Sequence, residues 1–213
     1  VVKRSKPTKD FHEFLISYTY SLLSLLLAHP SRPTMSGEIV TNEGNEMRHA
    51  LDRAGIPTPH LISINDTTLI EEFVQGGNLY AALASGSPAD IARNAGLLTG
   101  RLHKAGLAFI DNKAQNYLVR DKSLVRTDLG FTRRNNSGYA RSMDIGSFLA
   151  SVIDLRRYSE IERAFFDGYL EEYGCKFPYL SIILRNVLSL GFSSNSTIML
   201  TNMRLDSRPL VDV

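Results

Sequence analysis

Asp111, Lys113 and Asn116 fall within one short stretch, and Asp128 follows after two runs with strand character. Tyr117 to Val119 and Leu124 to Thr127 read as short strands turning at Asp121-Lys122, so a hairpin separates Asn116 from Asp128. A hairpin returns the chain to where it began. Asp111, Asn116 and Asp128 are therefore expected on one patch. A carboxylate and an amide oxygen facing each other make a hard-oxygen site suited to Mg²⁺, which commonly takes phosphate and water as further ligands. A second carboxylate nearby can orient a hydroxyl, and a lysine between them can hold a phosphate. Phosphoryl transfer needs that combination, because positioning and charge neutralisation supply most of its catalysis. Turns beside any hairpin favour Asp, Asn and Lys, so the joint spacing carries the reading, not any single residue.

The elements that must position these residues follow from the pattern around them. Val1-Val2-Lys3-Arg4 reads as the end of a strand closed by Ser5-Lys6-Pro7. A long apolar run from Phe11 to Leu27 ends at His29-Pro30-Ser31-Arg32-Pro33. Glu43 to Ala54 is expected to be helical, with Met47, Ala50, Leu51 and Ala54 on one face and Gly55 closing it. Strands are expected at Leu61 to Ile64 and Thr67 to Val74, turning at Asn65-Asp66. Gly76-Gly77 ends the second, and Asn78 caps a short helix. Ser87-Pro88-Ala89-Asp90 starts a helix that ends at Gly106. Further helices are expected from a Ser142 cap to Leu155, from a Ser159 cap to Tyr173, and near Tyr179 to Leu190. A small mixed region thus precedes a larger helical one, joined near Val74 to Asn78, and a ligand is expected in the cleft between them.

The run from Leu102-His103 through Gly106 to Phe109-Ile110-Asp111-Asn112-Lys113-Ala114-Gln115-Asn116 resembles the protein-kinase catalytic loop, with Asp-x-Lys-x-x-Asn in register. Asp128-Leu129-Gly130 resembles the Asp-Phe-Gly magnesium motif, and Glu71 to Leu79 is similar to the connection between kinase lobes. Asp144-Ile145-Gly146 resembles the helix whose aspartate supports the catalytic loop. The likeness covers residues 1 to about 155 and looks closest to small archaeal-type kinases of the RIO and KEOPS-associated sort.

That resemblance implies an α+β, two-lobed protein-kinase-like fold, with a truncated N-lobe over residues 1–75 and a mainly helical C-lobe over 76–213. It also implies ATP and Mg²⁺ as cofactors. Asp111 would orient the acceptor hydroxyl, Lys113 would touch the transferred phosphate, and Asn116 with Asp128 would bind the metal. Lys3 would hold phosphates, paired with Glu43 or Glu46; Glu43 is preferred because it lies one turn before the apolar stripe. The backbone of Glu72 and Val74 would receive the adenine. A protein serine or threonine is the leading acceptor, a small-molecule hydroxyl the next. A non-catalytic pseudokinase or scaffold with a protein partner is the rival.

Several departures qualify the likeness. Phe109-Ile110 stands where kinases carry His-Arg, so activity is expected to be independent of phosphorylation at Thr132 or Ser137. Glu71 falls where the adenine pocket is usually apolar and is expected to rotate outward. No glycine-rich phosphate loop precedes Lys3, so the roof of the nucleotide site is expected to be missing.

Composition narrows the remaining classes. The 213 residues are 43% hydrophobic, which excludes a disordered chain and supports a real core. The single cysteine, Cys175, excludes an internal disulfide. The net charge of +2 is near balance and argues neither for nor against an anionic partner. Arg133, Arg134 and Arg141 read as a solvated loop, and no DNA partner is expected. The five histidines show no metal spacing. Leu15 to Ala28 falls short of the roughly 20 apolar residues a bilayer requires, so a buried or interfacial helix is expected there and no transmembrane span. A cytoplasmic, reducing setting is the default.

Overall fold

Three strands open the structure, a computed structural model that describes residues 1–4, 18, 20–26, 36–65, 68–121, 123–134, 137–174 and 180–189. Strand β1 (Val2–Arg4) and β2 (Leu61–Ile64) both pair antiparallel with β3 (Thr68–Glu71), giving the order β1-β3-β2. The register places Lys3 opposite Leu69 and Val2 opposite Ile70. Helices α1 (Ser36–Asn42) and α2 (Asn45–Arg53) lie between β1 and β2 in the chain. Beyond the sheet come α3 (Leu79–Ser85) and α4 (Ala89–Lys104), then β4 (Leu107–Ala108) and the hairpin β5 (Tyr117–Arg120) and β6 (Ser123–Arg126). A two-residue strand β7 (Arg133–Arg134) pairs with β4, and α5 (Gly138–Ser151), α6 (Tyr158–Tyr173) and α7 (Leu180–Ser189) follow.

Helix boundaries differ from the sequence expectation in instructive ways. Asn42 ends α1 and Asn45 begins α2, so Glu43 sits in the turn between two helices and not inside one. Ser137, not Ser142, caps α5: its side chain accepts from the Ala140 N–H, while Ser142 is buried one turn later and donates to the Gly138 carbonyl. Neither Ser87 nor Ser159 caps its helix; α4 begins after Pro88 and α6 after Arg157, neither with a side-chain cap. Gly55, Gly106 and Gly174 follow α2, α4 and α6 with positive φ, the left-handed turn that ends a helix without Cβ strain.

One apolar cluster runs from Met47 and Leu51 of α2 through Leu79 and Leu83 to Leu98, Leu102, Phe148 and Phe165. At its centre the Phe148 and Phe165 rings stack 4.3 Å apart. Helices α4 and α6 approach so closely that glycine is required on both: a Cβ on Gly96 would strike the Phe165 carbonyl, and one on Gly168 the Arg93 carbonyl. In the apolar N-terminal run, residues 20–26 are helical. Tyr20 is buried against Tyr139, whose hydroxyl donates to the Tyr20 carbonyl, whereas Leu22, Leu25 and Leu26 are exposed. The readings at Ser5 to Pro7, at His29 to Pro33, at Cys175 and beyond Ser189 lie outside the described residues. No helix among the described residues is long and apolar enough to cross a membrane. Because α4 and α6 have no slack at this crossing, Gly96→Ala should lower stability by about 1–3 kcal/mol, the usual cost of overpacking, read from chemical denaturation midpoints.

Candidate active site

The loop after β4 turns back through a backbone that isoleucine rarely adopts. Ile110 has φ of 66°, a left-handed conformation strained for a β-branched residue. The Asp144 carboxylate of α5 holds it: Phe109 N–H donates to Oδ2 at 2.8 Å and Ile110 N–H to Oδ1 at 2.5 Å. Asp144 is fully buried, and its Oδ2 also receives His103 Nε2 at 3.1 Å. A carboxylate oxygen accepts, so Nε2 donates to Asp144, and Nδ1 on the other side of the ring lies within hydrogen-bond distance of the Tyr169 hydroxyl at 3.0 Å. His103 thereby anchors the aspartate that shapes the loop.

That loop presents Asp111, Lys113 and Asn116 together. Lys113 Nζ lies 3.2 Å from Asp111 Oδ2, and both residues are nearly buried. Asn116 Nδ2 donates to the Asp111 carbonyl at 3.0 Å and to its Oδ2 at 3.3 Å. The hairpin then brings Asp128 alongside. Thr127 N–H donates to the Asn116 carbonyl at 2.9 Å, and one nitrogen of Arg126 bridges the Asp111 and Asp128 carbonyls at 2.9 and 3.2 Å. Asp128 is itself left-handed, with φ of 57°. The donor chemistry suits a magnesium ion. The Asn116 amide nitrogen is committed to Asp111, so the amide oxygen is the atom left to ligate, beside the half-buried Asp128. No three His, Cys, Asp or Glu side chains cluster into a metal site among the described residues.

Above the loop lies a charged network that the sequence reading resolved only in part. Lys3 pairs with Glu71 Oε1 at 2.6 Å, and its charge also acts on Glu43. Glu71 is buried and its Oε2 meets Arg48 at 3.0 Å, so it faces inward. The expected outward rotation fails because two cations wait inside. Arg48 also reaches Glu43 Oε2 at 3.3 Å. Glu43 Oε1 accepts the Leu129 N–H at 2.8 Å, which sets this carboxylate against the Asp128-Leu129-Gly130 segment. Glu46 is exposed and pairs with Arg134 instead. Glu72 N–H donates to the His60 carbonyl at 2.8 Å, and Val74, two residues on, is buried. Gly76, with φ of 143°, lets this connection run against the hairpin, where Val119 N–H donates to the Gly77 carbonyl.

Two features escaped the sequence reading. Arg48 sits among the apolar positions of α2 and looks like a solvated charge until Glu43 and Glu71 are seen beside it. Arg126 ends β6, where strand alternation gives no warning of a fully buried guanidinium. Thr132 is buried, its hydroxyl without a hydrogen-bond partner among the described residues, and Ser137 serves as a helix cap.

A small antiparallel sheet, a helical bundle and a hairpin between two aspartate-bearing loops define an α+β protein of kinase-like fold. Named proteins agree with that class. The chain is 25% identical over 126 residues to the "Probable serine/threonine-protein kinase BUD32 homolog" of Archaeoglobus fulgidus, covering 59% of this chain and 63% of that protein. It is 30% identical over 118 residues to the "Probable bifunctional tRNA threonylcarbamoyladenosine biosynthesis protein" of Methanoculleus marisnigri, covering 55% of this chain and 22% of that one. It is 27% identical over 123 residues to the "EKC/KEOPS complex subunit BUD32" of Encephalitozoon cuniculi, covering 57% and 61%. The chain thus spans less than two thirds of each of these relatives and is similar to the small archaeal-type, KEOPS-related kinase-like proteins. No protein-family model matches it.

Burial raises the Glu43 carboxyl above its ordinary value; the Asp128 carboxylate adds to this, and Lys3 and Arg48 oppose it. A raised acid holds its proton more tightly folded than unfolded. Its contribution to stability is therefore full at low pH and lost as pH rises through the folded value. Urea midpoints measured from about pH 4 to about pH 8 should show this loss in the wild type and not in Glu43→Gln.

Proposed function

We propose that this chain is an ATP- and Mg²⁺-dependent phosphotransferase that moves the γ-phosphate to a hydroxyl, with a protein serine or threonine as acceptor. The observation that supports the reading is the junction of two loops, where Arg126 joins the Asp111 and Asp128 carbonyls while Lys113 and Asn116 lie against Asp111. The Asp111 carboxylate orients the acceptor hydroxyl and takes its proton. Lys113, an ammonium 3.2 Å from that carboxylate, neutralises charge on the phosphoryl group being transferred. The Asn116 amide oxygen and the Asp128 carboxylate would hold Mg²⁺, which when bound supplies charge neutralisation on the phosphates. Lys3 would grip the phosphates, and the Glu72 carbonyl and Val74 backbone would receive the adenine. Glu43 fixes the Leu129 backbone and so the neighbouring Asp128. Like the Encephalitozoon cuniculi relative, which is named as a complex subunit, the chain would work beside a protein partner.

A binding-only role is the second reading, favoured by one contact. The 2.6 Å pair with Glu71 occupies the Lys3 ammonium that phosphates would need. A small-molecule hydroxyl acceptor shares the same chemistry and differs only in the surface that receives it.

Thermal unfolding with MgATP separates these readings from no nucleotide function at all. Saturation to about 100 times Kd stabilises a fold by roughly 2.7 kcal/mol; the wild type should show such a gain and Asp128→Ala should lose it. Asp111→Ala should keep the gain while transfer of labelled γ-phosphate to a generic protein falls by about 10²- to 10⁴-fold, the usual worth of a general base. Binding without any transfer in the wild type would select the second reading. An equal gain in wild type and Asp128→Ala would remove the metal assignment.

A further inference from the structure

Arg126 is among the most completely buried side chains of the molecule, and no carboxylate among the described residues lies within ion-pair distance of it. Two of its nitrogens, Nε and Nη1, are buried without a hydrogen-bond partner. The third, Nη2, serves two acceptors, the backbone carbonyls of Asp111 and Asp128. The guanidinium lies over the Phe109 ring at 4.3 Å and the Tyr117 ring at 5.1 Å, a cation–π clamp that compensates part of its lost hydration. A buried cation with so few partners is a poor device for stability, and apolar replacement of such groups is often neutral or stabilising. Its two acceptors lie at the seam between the two loops that carry the candidate chemistry.

Backbone strain explains why a seam is needed there. Ile110 and Asp128 are both left-handed, and such conformations persist only where surrounding contacts fix them. Asp144 fixes Ile110 through two N–H groups. Asp128 has its own carbonyl held by Arg126, two residues earlier, and the same nitrogen ties that carbonyl to Asp111. Phe109 makes the arrangement possible, because its ring forms one face of the guanidinium slot.

We infer that Arg126 is a positioning residue: through the Asp111 and Asp128 carbonyls it sets the metal-binding carboxylate in register with the catalytic loop. The inference rests on the phosphotransferase reading and deepens it. It touches neither nucleotide nor metal directly, so its loss should act on metal affinity and not on folding.

The test follows unfolding temperature in wild type, Arg126→Met and Arg126→Lys, first without ligand and then across a Mg²⁺ titration at fixed ATP. Without ligand, Arg126→Met should unfold at or above the wild-type temperature. The Mg²⁺ concentration for half-maximal stabilisation should rise by about 10- to 100-fold, as for other groups that orient metal ligands. Arg126→Lys keeps a cation over the rings and a donor for one carbonyl, and should recover part of that loss. An unchanged Mg²⁺ half-point in Arg126→Met, with the wild type responding normally, overturns the inference and leaves the phosphotransferase reading standing. Should Arg126→Met fail to fold, Arg126→Lys decides: a wild-type half-point overturns the inference, a raised one supports it. A wild type that ignores MgATP overturns both.

Discussion

The carboxylate of Asp144 accepts two successive backbone N–H groups, and the form of the whole candidate site depends on it. Those bonds hold Ile110 in a left-handed conformation that costs on the order of 1–3 kcal/mol for a residue without glycine's freedom. The strain is tolerable because the carboxylate cannot move. His103 pins it from α4, Tyr169 pins His103 from α6, and all three groups are buried. Three helices thus converge on one turn of chain, and that turn sets the direction in which Asp111 leaves it. Charge-assisted bonds in a dry interior are short and roughly twice as strong as neutral ones, which suits a contact that must overrule local preference.

The sheet side of the site is organised by a different constraint, the need to neutralise buried carboxylates. Glu43 and Glu71 both lose hydration; Arg48 bridges them, and Lys3 pairs with Glu71 while its charge also acts on Glu43. Buried ion pairs of this kind contribute little net stability, since desolvation offsets most of the attraction. They do fix geometry. Arg48 adds bonds to the Glu43 and Pro59 carbonyls, so α2, the connection before β2, and the end of β3 are tied at one guanidinium. Glu43 passes that order on to the Leu129 backbone, beside Asp128. The kinase-like site is therefore framed by two independent supports, one behind each of its aspartates.

Legibility in the sequence followed how local each cause was. The hairpin, the glycine helix ends and the meeting of Asp111, Asn116 and Asp128 rest on turn chemistry and short spacing, and the structure brings those loop segments together. Helix starts are less legible: Pro88 and Arg157 precede α4 and α6 with no side-chain cap, and at α5 two serines compete. Ser142 resembles a cap as well as Ser137 does, and only the preceding extended backbone of Ser137 distinguishes them. Glu43 was assigned to a helix because the apolar stripe of α2 extends back to it, although the chain breaks at Gly44. Glu71 was expected to turn outward because no local signal reveals that Arg48, far away in sequence, waits beneath it. Long-range charge pairing is invisible to periodicity.

The same distinction bears on how the loop is ordered. Where a kinase loop carries an arginine before its aspartate, a phosphate on a neighbouring segment can supply the partner that orders it. Here Ile110 occupies that position and its backbone is held by Asp144, while Phe109 packs beneath Arg126. The segment after Asp128 is fixed by internal contacts as well: Thr132 is buried and its N–H donates to the Leu129 carbonyl, and Ser137 spends its hydroxyl on capping α5. A phosphate at Thr132 would have to displace core residues. Buried side chains of the chain's own helices and hairpin hold these loop segments: Asp144 the Phe109 and Ile110 N–H groups, and Arg126 the Asp111 and Asp128 carbonyls.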